Sequence, residues 1–496
     1  MKTYIIKAAL CSTVALTALT SCEFDQYPDT SIPTEKAWST VLDATQFNNG
    51  LKSEVRSICG GSYTAISELQ SDLFNETTAN WEGCSFGNIQ DWTFTSGSSV
   101  CDNYWAGCYT VISNANNIIN NIDKITPEEG NEEQAALLKY YKGSAYFVRA
   151  LAYDKLARRY CKAYDKATAE ETLGLPLVET VDVNEKPSRS SLKATYDFIK
   201  SDIAKAKELM GEDDIHNTDN GVPSYNAADA LDARVSLNCQ DYDNAIACAE
   251  RTIAKYPLCT TDTELEEMWK NDQGTEIIFQ PTQTKEERTN SSYQYYILYS
   301  TKYRMQSPNN VPTQGLIDLY EDEDMRLYTY FAANGAVAGD IVDENVVTFK
   351  KFPGNPDLVK SRPESEFYNM TKELRVGEMY LIAAEASYMK NGSGLSYLNA
   401  LRTKRGASAL DVSGNMLLGQ IKNEWAREMC GEGFRLDCLK RWGDGCKRMK
   451  AQNCVEGYLQ SQPNYQDLNV PASNQKFVWE IPTNDLQANP NLKRNW

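Results

Sequence analysis

The sequence contains few of the residues that most often build catalytic and metal sites. Its 496 residues include a single histidine, His216, and no nucleophile motif lies near it. None of the 14 cysteines forms a CxxC pair, so the sequence predicts neither a metal centre nor a cofactor. A catalytic triad that depends on histidine is not expected either. No P-loop and no GxGxxG opening a helix is present, so there is no signal for nucleotide binding.

Positive charge and long apolar runs are also scarce. The chain has 50 Lys and Arg residues against 68 Asp and Glu residues, which gives a formal net charge of −18. There is no basic cluster with interleaved aromatic residues, so binding to a phosphate backbone is excluded. Beyond the first 21 residues no apolar run is long enough to predict a transmembrane helix.

The N-terminus has the pattern of an export signal. Two lysines precede an apolar run over residues 8–19, and the sequence Leu-Thr-Ser-Cys then ends at Cys22. This arrangement resembles the lipobox of bacterial lipoproteins. The resemblance predicts a signal peptide over residues 1–21 and acyl chains on Cys22. The polar, proline-containing residues that follow predict a tether over residues 22–34.

Apolar residues at helical spacing predict a mostly α protein. Residues 269–360 are different, because their short aromatic and apolar runs are broken by Gly, Pro and Asn, which indicates loops and a few short strands. We expect a helical region over 35–260 and a second region over 261–496 that packs on it as one body. The predicted helices cover residues 104–122, 132–160, 192–210, 226–238, 242–256, 372–389, 394–405, 420–432 and 435–450.

Export permits disulfides, but the sequence does not fix their pairing. Cys84 with Cys101 is one candidate pair. The C-terminal set of Cys430, Cys438, Cys446 and Cys454 offers others.

Several segments, in colinear order, resemble the RagB/SusD-like family of Bacteroidetes outer-membrane lipoproteins. In the N-terminal half these are Trp105-Ala-Gly-Cys-Tyr109, Phe147-Val-Arg149-Ala-Leu-Ala-Tyr153 and Gly174-Leu-Pro176-Leu177. In the C-terminal half they are Arg375-Val-Gly-Glu378, Leu401-Arg402-Thr-Lys-Arg405, Glu424-Trp-Ala-Arg427-Glu428 and Gly433-Phe-Arg435.

The resemblance implies a tetratricopeptide-like scaffold of helical hairpins with long irregular loops and a few short strands. It also implies an oligosaccharide ligand, or in some members a peptide, captured at the cell surface. The implied partner is a SusC-like TonB-dependent transporter in the outer membrane, over which the protein sits as a lid. No catalytic activity is implied.

Two other classes of function remain open at this stage. Glu378 and Glu385 lie seven residues apart on one predicted helix face, where a carboxylate pair is also compatible with a lipid-anchored glycoside hydrolase. We interpret them instead as part of a structural ion-pair network with Arg375, Arg402 and Arg405, because buried charges must be paired. The other alternative is an adaptor that binds no small ligand.

Aromatic residues in polar loops are the candidate ligand contacts. Sugar rings stack their C–H faces on aromatic rings while nearby amides and carboxylates bind the hydroxyls. Two segments, 80–88 and 291–304, have this character. Within them we predict that the ligand contacts are Trp81, Phe86, Tyr295 and Tyr296, and we assign Trp92 and Trp105 to the core.

Overall fold

The computed structural model describes residues 37–79, 85–182, 184–289, 291–362, 366–461 and 466–496. The predicted signal peptide, Cys22, the tether and Trp81 therefore lie outside the described residues.

Helices make up most of the regular structure, which confirms the predicted mostly α fold. In chain order they are α1 (Val41–Cys59), α2 (Ser62–Leu69), α3 (Gly87–Gln90), α4 (Ser99–Asn121), α5 (Glu132–Tyr160), α6 (Leu192–Met210), α7 (Tyr225–Asn238), α8 (Tyr242–Ile253), α9 (Asp262–Lys270), α10 (Gln314–Ile317), α11 (Met325–Tyr330), α12 (Val376–Asn391), α13 (Leu395–Lys404), α14 (Gly414–Met429), α15 (Arg435–Trp442) and α16 (Thr483–Ala488).

Consecutive long helices pack against one another as a scaffold of hairpins. The pairs α4 with α5, α5 with α6, and α7 with α8 share long interfaces, and α12 packs on both α8 and α13. The central helix α5 begins where the Asn131 side chain accepts a hydrogen bond from the Gln134 amide at 3.1 Å. Its first turn carries two glutamates and its last turn two arginines, which suits the helix dipole.

Short strands fill the loops between the helices, as predicted for residues 269–360. Within the described residues there are seven antiparallel pairs of strands, each two to four residues long. The strands are β1 (Phe74–Glu76), β2 (Leu173–Pro176), β3 (Arg189–Ser191), β4 (Ile277–Phe279), β5 (Tyr299–Ser300), β6 (Met305–Gln306), β7 (Asn310–Pro312), β8 (Phe331–Ala332), β9 (Ala336–Ala338), β10 (Ile341–Asp343), β11 (Thr348–Phe349), β12 (Leu374–Arg375), β13 (Cys446–Lys447) and β14 (Asn469–Val470).

Several predicted helix boundaries are wrong: α4 begins at Ser99 rather than residue 104, and α14 begins at Gly414 rather than residue 420. Two others are wrong for identifiable reasons. Helix α12 begins at Val376 rather than residue 372, because Leu374 and Arg375 form β12 and pair with β4. Helix α15 ends at Trp442 rather than residue 450. Gly443, with φ of 68°, ends the helix in the left-handed conformation, and the chain then enters β13.

The candidate disulfides in the C-terminal set do not form. All eleven cysteines in the described part of the chain are free. The C-terminal thiols lie in separate environments, with Cys430 Sγ 3.5 Å from the Tyr320 hydroxyl and Cys438 Sγ 3.5 Å from Arg441 Nη2. Cys101 is free as well, and its candidate partner Cys84 lies outside the described residues.

Candidate ligand-binding face

A pair of short strands brings the two predicted ligand-binding segments together. Strand β1 pairs antiparallel with β7, so that Phe74 lies opposite Pro312 and Glu76 opposite Asn310. Beyond this pair the rings of Phe86 and Tyr295 stack, with centroids 4.8 Å apart and planes 23° apart. The described part of the first segment therefore packs against the second, although the two are distant in sequence.

The predicted contact residues that the structure describes, Phe86, Tyr295 and Tyr296, are more buried than a sugar platform requires. Tyr296 is 1% exposed and packs among Phe74, Phe349 and Phe352, so it is a core residue and its predicted ligand contact is wrong for this conformation. Phe86 and Tyr295 are 7% and 6% exposed and cover each other's faces. Their contact with ligand stays a prediction. Trp92 and Trp105 are buried, as predicted.

The exposed part of this region is the hairpin formed by β5 and β6. Tyr303, in its turn, is half-buried and donates a hydrogen bond from its hydroxyl to Asp340 Oδ1 at 2.9 Å. Lys302 Nζ lies 2.8 Å from the same carboxylate oxygen. The hydrogen bonds from both residues lower the pKa of Asp340. Arg304 is exposed and bends the turn with a φ of 55°.

Two further segments border this hairpin. The β9–β10 hairpin carries Asp343, which accepts hydrogen bonds from the amides of Asn345 and Val455. The segment around Tyr458 joins the end of β1, since the Thr78 amide donates to the Tyr458 carbonyl at 2.9 Å. We call the surface made by residues 76–79, 299–306, 336–343 and 455–460 the hairpin face.

The sequence placed Tyr303 in a candidate segment without identifying it as a ligand contact. Asp340 was not among the candidate residues. The contact between them joins two separate hairpins. No local pattern in the sequence indicates that contact.

The carboxylates considered for hydrolysis are buried in ion pairs. Glu378 accepts hydrogen bonds from Arg234 Nε and Nη2 at 2.7 and 2.9 Å. Glu385 accepts from Arg441 at 2.8 and 2.9 Å and from the Trp442 indole at 2.9 Å. Neither carboxylate is free to act as a general acid or a nucleophile, so the geometry favours the structural interpretation.

The detailed pairing predicted for these two glutamates is nevertheless wrong, because their partners come from α7 and α15. The three predicted arginines pair with other carboxylates. Arg405 binds Glu276 at 2.6 and 2.8 Å, and both Arg405 and Arg375 bind Glu428. Arg402 Nη1 lies 3.1 Å from Glu424.

Glu428 is at the centre of this network. Burial by itself raises the pKa of Glu428, but Arg405, Arg375 and Arg326 surround it and lower its pKa well below the usual value. The carboxylate is therefore held ionised in the interior. A buried cluster of this kind locks helices together and needs no catalytic role.

One group of residues has metal-ligating side chains close together, but its charges are already neutralised. Asp229, Asp232 and Cys248 lie within reach of a common ion. However, Lys207 Nζ lies 2.7 Å from Asp229 and 2.6 Å from Asp232, and Arg251 also binds Asp229. Burial raises the pKa of Cys248 to about 12, which keeps the thiol protonated and unsuited to a metal.

Comparison with known families identifies the family of the chain. A family model described as starch-binding associating with outer membrane matches residues 24–237, and the model of the SusD family matches residues 343–496. The chain belongs to the SusD/RagB-like family. No protein with a curated description matches the sequence significantly.

Solved structures support the fold. A SusD superfamily protein from Bacteroides thetaiotaomicron matches with a TM-score of 0.76 at 23% identity, covering 92% of this chain and 100% of that chain. A SusD superfamily protein from Bacteroides vulgatus matches with a TM-score of 0.74 at 24% identity, covering 92% of this chain and 99% of that chain. A protein described as a laminarin-binding SusD-like protein matches with a TM-score of 0.70 at 19% identity, covering 92% of this chain and 99% of that chain.

No helix in the described part of the chain is both long and apolar enough to cross a membrane.

Proposed function

We propose that this protein is a lipid-anchored protein of the cell outer membrane that binds an oligosaccharide on its hairpin face and delivers it to a SusC-like TonB-dependent transporter. The observation that carries the proposal is the match to the family models, of which the N-terminal one is described as starch-binding associating with outer membrane. The laminarin-binding neighbour supports a glycan as the ligand class.

The hairpin face has the chemistry that a sugar requires. Tyr303 offers a ring that is partly exposed and held in place by its hydrogen bond to Asp340. An ordered ring loses little conformational entropy when a sugar stacks on it. Lys302 Nζ lies over one face of this ring, 4.7 Å from its centroid, so the sugar is expected to stack on the other face. The exposed Arg304, next in the turn, provides donors for sugar hydroxyls.

We do not expect the protein to release reducing sugar from a glycan. The two carboxylates that first suggested a hydrolase are bound by Arg234 and Arg441 in the interior. The protein is expected to bind a glycan and leave its linkages intact. A peptide ligand is the alternative within the same family.

Titration calorimetry with a panel of soluble glycans and peptides tests the ligand class. We expect at least one oligosaccharide to bind and no peptide to bind more tightly. Tyr303→Ala should weaken the binding of that oligosaccharide roughly tenfold, since aromatic contacts of this kind contribute about 1–2 kcal/mol.

Tyr328→Ala is the matched control, because Tyr328 is 60% exposed on α11, outside the hairpin face. It should leave the affinity unchanged. Binding of peptides alone, or equal affinities for the two variants, would contradict the proposal.

A further inference from the structure

A cleft outside the hairpin face shares no lining residue with it. It has a volume of about 450 Å³ and lies between α1, α5, the loop at residues 221–223 and the segment after β4. Its apolar lining includes Val148 and Phe279, and Ser53, Thr282 and Thr284 line it as well. Clefts of this size hold small ligands with a few polar anchoring groups.

Two cationic side chains project into this cleft from one face of α1. Lys52 and Arg56 are four residues apart, so they lie one above the other on the helix. Arg56 is partly paired, with Nη2 3.0 Å from Glu287 and Nη1 donating to the Thr282 carbonyl at 3.1 Å. Its Nε is buried and finds no hydrogen-bond partner among the described residues.

The positive charge of Lys52 has fewer interaction partners than that of Arg56. Its side chain is half-buried and makes no hydrogen bond or ion pair in the described part of the chain. Burial lowers the pKa of Lys52, and only the more distant charge of Asp219 opposes that effect. Removing an ammonium group from water without a partner is unfavourable, so an anionic group of a ligand placed here would be stabilised.

The overall charge of the chain makes this local arrangement unusual. With a formal net charge of −18, the surface as a whole repels anions, so an anion would be held by these two side chains and not by the general field. The Thr282 hydroxyl donates to the Gly221 carbonyl at 3.2 Å, and the Thr284 hydroxyl accepts from the Glu287 amide at 3.1 Å. Each hydroxyl therefore keeps one hydrogen-bonding function for a hydroxyl of the sugar that carries the charge.

We propose that this cleft binds the anionic group, a carboxylate or a sulfate, of an acidic saccharide of one or two sugar units. Lys52 and Arg56 bind the anion, and the apolar wall contacts the ring. This site goes beyond the proposed glycan binding on the hairpin face, and either can exist without the other.

Calorimetry with the full chain in detergent tests the inference with a matched pair of probes. The probes are 4-linked digalacturonate and the neutral 4-linked galactobiose, with galactose 6-sulfate to distinguish the two anions. We expect digalacturonate or the sulfate to bind at least tenfold more tightly than galactobiose, and this preference should decrease as salt is raised.

Three variants locate the binding. Lys52→Met keeps the apolar stem and removes the charge, and it should weaken binding of the acidic probe about tenfold. Thr284→Trp, at an exposed position on the rim, should block the cleft. Lys139→Met is the control, because Lys139 is an exposed residue of α5 outside the cleft and its loss changes the net charge equally.

The outcomes separate this inference from the proposed function. Tyr303→Ala should leave binding of the acidic probe unchanged. The inference is overturned if galactobiose binds as well as the acidic probes. Equal affinities of Lys52→Met and Lys139→Met, both with an unchanged melting temperature, would also overturn it.

Discussion

At the scale of single residues, buried carboxylates surrounded by arginines stabilise the contacts between helices. Glu424 is fully buried and lies 2.7 Å from Arg326 and 3.1 Å from Arg402, and Arg427 binds it as well. Burial raises the pKa of Glu424, but the three arginines outweigh that effect and lower its pKa to about 2. Its charge is therefore part of the folded structure.

Replacing Glu424 by Gln should lower the free energy of unfolding at pH 7 by about 3–5 kcal/mol, because Arg427 loses its buried carboxylate partner and two further buried arginines each lose one of theirs. Glu266→Gln, at an exposed position on α9, should change the stability by less than about 0.5 kcal/mol. Urea unfolding followed by circular dichroism measures both.

The stability that ionised Glu424 contributes should fall as the pH is lowered. A carboxylate with a depressed pKa stabilises the fold above its unfolded value near 4.5, and this contribution is lost as the pH falls towards 2. The stability difference between wild type and Glu424→Gln should therefore shrink below pH 4.5. A difference that stays constant to pH 2, or a variant as stable as Glu266→Gln at pH 7, would contradict this account.

At the scale of elements, the β5–β6 hairpin is the part of the hairpin face with a strained backbone. Arg304 has a φ of 55°, a conformation that costs a residue with a Cβ atom about 1 kcal/mol and costs glycine nothing. The strain lies in the turn that also carries Tyr303.

Arg304→Gly should therefore raise the free energy of unfolding by about 0.5–1 kcal/mol. Thr301→Gly, in the same turn but without a positive φ, is the control and should lower it slightly. Equal losses of stability in the two variants, measured by thermal and urea unfolding, would show that the turn is not strained at Arg304.

The long helices could be predicted from the sequence because their signals are local. Helices α5 and α6 begin and end where the apolar spacing and the capping residues Asn131 and Ser191 place them. Helix α1 was missed, since Asn48 interrupts the apolar stripe on its buried face. Strands of two residues show no periodicity and could not be predicted individually.

The candidate ligand-binding face could be predicted only in outline. Its two segments have the right composition, but the β1–β7 pairing that joins them is long-range. Tyr295 and Tyr296 are both buried in the same loop, but Tyr295 stacks on Phe86 while Tyr296 packs against Phe74 and Phe349. Composition alone does not distinguish the two tyrosines.

At the scale of the whole molecule, buried ion pairs join residues on both sides of residue 260. Lys155 binds Glu373 at 2.8 Å, and Arg158 binds Asp437 at 2.8 Å. The division into regions 35–260 and 261–496 stays a prediction. These contacts indicate that each region depends on the other for the charge balance of its interior.

Anchoring by Cys22 is a prediction for the whole protein in its cell. Because a tethered binding protein stays near its transporter at high effective concentration, losing the lipid should abolish uptake without changing ligand affinity. Cys22→Ala should bind the oligosaccharide in calorimetry like the wild type. Cells that express it should fail to grow on that glycan. Normal growth of those cells would contradict the role of the anchor.

The most direct test of the central claim is a crystal structure of the protein with the oligosaccharide that binds it in the glycan panel. The account predicts a sugar ring stacked on Tyr303, within about 4 Å, with hydroxyls bound near Arg304. A neutral oligosaccharide found only in another cleft, with the hairpin face empty, would contradict it.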